Sequence, residues 1–269
     1  MDARETLRTG DPRTALEQLK QEVRKAPRDA RLRTFLFQMF CVFGEWDRAL
    51  TQLAAAAELD EAAVSMAQAY RTAIRCEILR ARVFAGVRTP TVFGQPEPWI
   101  PLLVEANRLL AVGHPEQAAG LRDEAFEQAP AVSGTLDGEE FEWIADADPR
   151  LGPMLEVIVD GKYWWVPLHR IQRIVIEPPA DLRDRIWQPA NFVWSTGGDG
   201  VGFIPTRYPG LTASDDPSLL MSHRTEWTEL NGWFLGRGQR MLATDSGEHA
   251  LMDVRRIELT PQAAGHEGK

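Results

Sequence analysis

Cysteine is scarce in this 269-residue chain: Cys41 and Cys76 are the only two, and both fall in helix-like stretches. A secreted scaffold stapled by disulfides carries more, so the two are expected as buried free thiols. Clustered basic charge is also missing. The formal net charge is −9, the sequence pI is about 5.2, and no basic run exceeds a dipeptide beyond the first helical segments. Nucleic acid and anionic membranes are recognised through grouped Lys and Arg that neutralise phosphate, so neither is an expected partner. No apolar run approaches the roughly 18 residues that read as a membrane span. The polar start MDARETLRTGDPRTAL has no signal-peptide core. A cytoplasmic chain is expected.

What is present divides in two. Residues 1–130 carry 17 Lys/Arg against 18 Asp/Glu, whereas residues 131–269 carry 13 against 21, and seven of the nine tryptophans follow residue 140. With 44% hydrophobic and 26% charged residues the chain has enough apolar side chains to build a core. The expected organisation is α+β: a helical domain over 1–132 and a small, tryptophan-rich, mainly-β domain over 133–269.

The first half repeats itself. Gly10-Asp11, Ala15, Leu19 and Pro27 recur as Gly44-Glu45-Trp46, Ala49, Leu53 and Ala56, and again as Gly113, Ala118, Ala125 and Pro130. Gly10 and Gly44 lie one tetratricopeptide period apart. Each glycine suits the tight turn between two helices, the alanines permit close helix approach, and proline stops the second helix. The array is irregular. The middle copy has lost its glycine, residues 62–85 read as one or two helices, and GVRTPTVFGQPEPW over 86–99 interrupts the helical pattern.

In the second half, residues 131–153 read as linker and loop. Leu155–Val159, Asp160-Gly161 and Tyr163–Val166 then form the clearest hairpin signal, because Asp-Gly suits a two-residue turn. Trp164 and Trp165, adjacent in a strand, must point to opposite faces. Further strands are expected at 174–176, 187–194, 200–205, 225–230 and 239–243, with a strand–turn–strand echo at 250–259. The whole suggests a curled sheet or partly open barrel. The last residues, PQAAGHEGK, read as a frayed tail.

Chemistry-bearing motifs are sparse. Asp146 and Asp148, with Asp137 and Glu142 nearby, depart from calcium-loop order and read as local charge contacts. His114, His169, His223, His249 and His266 lack metal-ligand spacing. Ser195-Thr-Gly-Gly-Asp-Gly has no phosphate-loop lysine and reads as a loop. No nucleophile–base pair can be named, and no metal or organic cofactor is expected. Trp187, Trp227 and Trp233 are expected to fill core.

Four blocks carry a resemblance: Asp148-Pro-Arg-Leu-Gly-Pro153, Leu155-Glu-Val, Lys162-Tyr-Trp-Trp-Val-Pro and Ile186-Trp-Gln-Pro-Ala-Asn-Phe192. With the irregular repeat before them, they resemble the ImpE (TagJ, or SciE-type) family of type VI secretion accessory proteins over nearly the whole chain. The resemblance implies a tetratricopeptide-like part joined to a compact β part. It also implies a non-catalytic cytoplasmic adaptor associated with the small contractile-sheath subunit and the ClpV disassembly ATPase. It supplies no catalytic residues. Two other readings remain open: a generic tetratricopeptide scaffold or co-chaperone, and an enzyme with an inter-domain acidic site using Asp146, Asp148 and Arg150.

For an adaptor, the helical groove is the place to look. The outward stripe of the second pair would hold Arg31, Thr34, Gln38 and Cys41, with Leu36, Phe37 and Phe40 facing the core. In the third pair Ile100, Leu103, Asn107 and Leu110 would form a more apolar floor. An amphipathic helix of the sheath subunit is the expected occupant. The alternative is that Leu103 and Leu110 are covered by the 86–99 segment or by the β domain.

Overall fold

The computed structural model describes residues 2–261, so the expected frayed tail from residue 262 and His266 lie outside the described residues. Helices come first: α1 (Ala3–Arg8), α2 (Pro12–Lys25), α3 (Ala30–Val42), α4 (Trp46–Leu59), α5 (Val64–Phe84), α6 (Trp99–Ala111) and α7 (Pro115–Gln128). Aspartates open three of them. Asp2, Asp11 and Asp29 each accept from backbone N–H groups of the first turn, which have no partner inside the helix. Gly10, Gly44 and Gly113 close α1, α3 and α6 at φ of 92°, 68° and 86°, a region where a Cβ is penalised. The chain then folds back, so α1 packs on α2, α3 on α4 and α6 on α7. Ala15, Leu19, Ala49, Leu53, Ala118 and Ala125 are fully buried at these contacts. The stretch 62–85 holds one long helix, α5, which a single 3-10 turn (Glu61–Ala63) precedes.

The strands are β1 (Gly134–Leu136), β2 (Glu139–Phe141), β3 (Ile144–Asp146), β4 (Met154–Val159), β5 (Lys162–Pro167), β6 (Ile171–Ile176), β7 (Trp187–Trp194) and β8 (Asp199–Pro205). After a short helix, α8 (Pro217–Leu220), come β9 (Thr225–Leu230), β10 (Trp233–Gly238), β11 (Met241–Thr244), β12 (Gly247–Ala250) and β13 (Arg256–Leu259). Eight of them form an antiparallel sheet in the order β2-β1-β13-β6-β7-β8-β4-β5, which is open rather than closed into a barrel. The class is α+β. β3, β11 and β12 form a second sheet, and β9–β10 stands as a separate hairpin.

Asp160 and Gly161 join β4 to β5 with φ of 51° and 72°, the double positive that a two-residue hairpin turn requires. The stretch 131–153 is not merely linker and loop: it holds β1, β2 and β3. These strands are three residues long, and Glu139 and Glu140 remain exposed, so no apolar alternation marks them. A turn signal was nevertheless there. Asp137-Gly138 has φ of 50° and 94°, and Asn231-Gly232 repeats it at 50° and 80° before β10, a strand that propensity alone misses.

The sheet is apolar on both faces. One core joins Phe37, Leu53, Tyr70 and Trp99 of the helices to Met154, Ile158, Tyr163, Trp165, Ile186 and Trp187. A second lies across the sheet around Val157, Val166, Ile174, Phe192 and Ile257. Trp165 faces the helices, with its ring 5.8 Å from Phe84, while Trp164 faces the other way and meets Phe93 edge-on. Trp187 wedges between Trp46 and Tyr70 at 5.9 and 5.7 Å. Of the other two tryptophans expected in the core, Trp233 is buried and Trp227 half-buried. The 86–99 segment covers the outer edge of β5: Phe93 N donates to Trp165 O and Trp165 N donates to Thr91 O, both at 2.9 Å.

Candidate docking groove

The acidic residues proposed for an enzyme site prove to be part of a buried ionic lattice. Glu156 occupies an inward, otherwise apolar position of β4. Arg80 from α5 grips it with two bonds of 2.7 and 2.8 Å, and Arg240 and the Tyr163 hydroxyl bind it as well. Arg240 also pairs with Asp146 at 2.6 Å, and Tyr208 donates to the same carboxylate at 2.9 Å. Asp148 binds Arg150 and accepts from Gly236 N at 2.7 Å. Asp146 and Asp148 are 4% and 0% exposed. These groups are engaged with one another, and they tie α5 to the sheet and β10 to the 146–152 turn.

The lattice titrates in two directions. Burial pushes the Asp146 carboxyl up to about 6 in spite of Arg240. Glu156 carries a large burial penalty too, yet the Arg80 and Arg240 guanidiniums outweigh it and hold it down at about 2. A carboxyl held low contributes stability that is complete above its unfolded value of 4.5 and is lost as pH falls through about 2. Asp146 acts oppositely and relieves the fold as pH drops from about 6 toward 3.8. Urea midpoints are therefore expected to fall below pH 4.5, with about 3 kcal/mol at stake in Glu156. In Glu156→Gln the acid limb of that profile should flatten.

His169, which lacks metal-ligand spacing in the sequence, bonds Glu97 at 2.9 Å. Glu97 also accepts from Trp99 Nε1 at 2.9 Å and from Arg170, so the cluster pins the 86–99 segment against the sheet. Ser195–Gly198 forms the turn between β7 and β8. Among the described residues no group of three or more His, Cys, Asp or Glu is placed to hold a metal ion. No helix of the described residues is long and apolar enough to cross a membrane.

Of the two expected helical stripes, the structure opens one and covers the other. Arg31, Thr34 and Gln38 of α3 line a cavity of about 380 Å³ together with Arg4, Leu7 and Arg8 of α1, Phe35, Asp60 and residues 180–182. Leu7, Phe35 and Leu182 supply apolar surface. Arg4, Arg8 and Arg31 supply positive charge against Asp60 and Asp181, and Asp181 is already paired with Arg183 at 2.6 Å. Arg4 lies over the Phe35 ring at 5.2 Å. Gln38 is only 6% exposed as a residue, but its amide opens to the groove and is not one of the buried polar atoms left without a partner. Among the described residues it bonds no other group, and neither do the side chains of the half-buried Thr34 and the exposed Arg31. Polar groups that open to a groove are satisfied by water, which a ligand with matching groups can replace. The groove thus presents unspent hydrogen-bonding capacity.

Cys41 does not share the groove. It is fully buried in the core, and burial pushes its thiol well above the ordinary range. The expected floor on α6 is likewise not open. Ile100 and Leu103 are 4% and 0% exposed, and Asn107 spends its amide on Leu103 O at 2.9 Å and Arg150 O at 2.7 Å. Leu110 is half-buried beside Trp233, which seats on Ala106 and Ala118 under the Arg122 guanidinium at 4.2 Å. The β10 strand covers the Leu110 end of this stripe, whereas Ile100 and Leu103 belong to the core between the helices and the sheet, with Met154 and Trp165. Arg4, Leu7, Arg8 and Leu182 were not legible as groove residues, because the contact of the 180–182 loop with α1 and α3 joins distant parts of the chain.

Comparison with known proteins agrees with this architecture. The crystal structure of protein VPA1032 from Vibrio parahaemolyticus superimposes with a TM-score of 0.87 over 97% of this chain and 98% of that one, at 23% identity, which establishes a shared fold. The model of the ImpE protein family matches residues 138–258. The type VI secretion system accessory component TagJ of Pseudomonas aeruginosa is 46% identical over 264 residues, covering 98% of this chain and 93% of TagJ. With that identity sustained through both the helical and the β regions, the chain belongs to the ImpE family, and its sequence resembles that of a type VI secretion accessory component.

Proposed function

We propose that this protein is a non-catalytic cytoplasmic adaptor of a type VI secretion system. Its α1–α3 groove holds a helical segment of the small contractile-sheath subunit and links that subunit to the ClpV-type disassembly ATPase. In this reading α1–α7 act as a tetratricopeptide-like domain over 1–132, which presents the partner, and 133–269 is the β domain that braces it. The observation that carries the proposal is the unpartnered set Arg31, Thr34 and Gln38 along one face of α3, beside the apolar Leu7, Phe35 and Leu182. An amphipathic helix meets such a groove with apolar anchors at i, i+3 and i+4, and with acidic residues toward the arginines. The engaged state of Asp146, Asp148 and Arg150 weighs against the enzyme reading.

Titrating a helical peptide of the small sheath subunit tests this. Gln38→Ala and Arg31→Glu are each expected to weaken binding by about 1–3 kcal/mol. Leu230→Ala, on the distant β9, should leave affinity unchanged. Equal affinity for all three folded variants would move the partner off this groove.

A further inference from the structure

Every open sheet edge offers unpaired N–H and C=O groups to another strand, so each needs a cover or a deterrent. In the eight-stranded sheet, the β5 edge is covered by residues 91–93, and the β2 edge is three residues long with Glu139 and Glu140 exposed. In the β9–β10 hairpin, the outer edge of β10 is stopped at Gly236, whose N–H and C=O are taken by Asp148 and Arg150. The outer edge of β9 has none of these. β9 pairs with β10 alone over six residues, and no described residue covers its far side with a backbone hydrogen bond.

The phase of that edge follows from the turn. Asn231 and Gly232 form a two-residue turn with both φ positive, so the flanking Leu230 and Trp233 are a hydrogen-bonded pair. Leu230, Thr228 and Glu226 therefore direct their backbone groups inward to β10. Thr225, Trp227 and Glu229 direct theirs outward. Beside this row stand two apolar side chains in solvent, Leu230 at 42% and Phe234 at 56% exposure.

We propose that the β9 edge pairs with the β9 edge of a second copy of this chain, antiparallel about a two-fold axis at Trp227. The sequence TEWTEL is self-complementary in that register. Trp227 faces Trp227 of the second copy, Glu226 faces Thr228, Glu229 faces Thr225, and Arg224 faces Leu230. No glutamate opposes a glutamate. Centring the pair on residue 226 or 229 would set two glutamates directly opposite, which is destabilising, whereas an aromatic pair across strands is favourable. Such a contact is isologous and closes as a dimer instead of growing into a fibre. One strand pair with two apolar flanks is small beside the roughly 1,200–2,000 Å² of a stable interface. The dimer is accordingly a concentration-dependent one, and it uses no residue of the α1–α3 groove.

Sedimentation equilibrium of the full chain over a concentration series tests the proposal. The weight-average mass should climb toward twice the monomer. In Glu229→Pro it should stay at the monomer, because proline removes an outward N–H and spares the rungs to β10. Independently, Trp227→Cys should form an intermolecular disulfide under mild oxidation, since paired strand positions bring Cα atoms within disulfide reach. Val201→Cys, 70% exposed on β8, should not. A chain that remains monomeric throughout overturns the proposal. So does a dimer that Glu229→Pro leaves intact, or equal cross-linking of the two cysteine variants.

Discussion

Replacing Arg240 with methionine is expected to destabilise the protein by about 3–5 kcal/mol, the cost of removing one partner from a buried ion pair. Arg240 is 0% exposed and joins Asp146 to Glu156 while donating to Pro205 O at 2.9 Å. Without it, Glu156 keeps only Arg80 and Tyr163, and Asp146 keeps only Tyr208 and the Asp148 N–H. The same change at Arg256, exposed in a surface pair with Glu258 at 2.5 Å, should fall within about 0.5 kcal/mol of wild type. Urea unfolding checks both. A loss at Arg240 no larger than that at Arg256 would mean that the lattice does not lock α5 to the sheet.

A larger effect is expected from dividing the chain. A fragment ending at residue 132 should show no cooperative unfolding transition, because the core of its helices is completed by Tyr163, Trp165, Ile186 and Trp187. In the intact chain Trp187→Ala is expected to cost about 3–5 kcal/mol. It removes the ring between Trp46 and Tyr70 together with the indole bond to Glu77 Oε1 at 3.1 Å. Calorimetry of the fragment and of the variant measures both. A fragment that melts sharply by itself would show that the helical half is an independent unit with its own core.

How much of this was legible in the sequence depends on the range of the interaction. Gly10, Gly44 and Gly113 declared their turns because a positive φ is a local demand, and Asp160-Gly161 declared the β4–β5 hairpin for the same reason. Leu36, Phe37 and Phe40 pointed inward by helical spacing, leaving Arg31, Thr34 and Gln38 on the opposite stripe. That spacing says which face a residue occupies, but not what lies over it. Ile100, Leu103 and Leu110 have equally good spacing and are covered, because the sheet residues Met154 and Trp165 close the core around the first two and Trp233 arrives beside the third from more than a hundred residues away. Cys41 sits one turn from Gln38 and is buried where the chain closes over the end of α3, with Arg207 donating to Cys41 O at 3.3 Å. The ionic lattice was invisible for the same reason. Glu156 stands at an apolar position of β4 and is tolerable there only because Arg80 and Arg240 reach it from either side of the sequence.

The central claim is that the partner lies in the α1–α3 groove. Hydrogen–deuterium exchange of the full chain, with and without the small sheath subunit, tests it most directly, since a seated helix slows amide opening beneath it. Slowed exchange is expected in residues 4–8, 31–38 and 180–182, with α6 and α7 unchanged because β10 and the core between helices and sheet already cover their apolar stripe. Protection confined to the β domain, with α1 and α3 exchanging as in the free protein, would contradict the account.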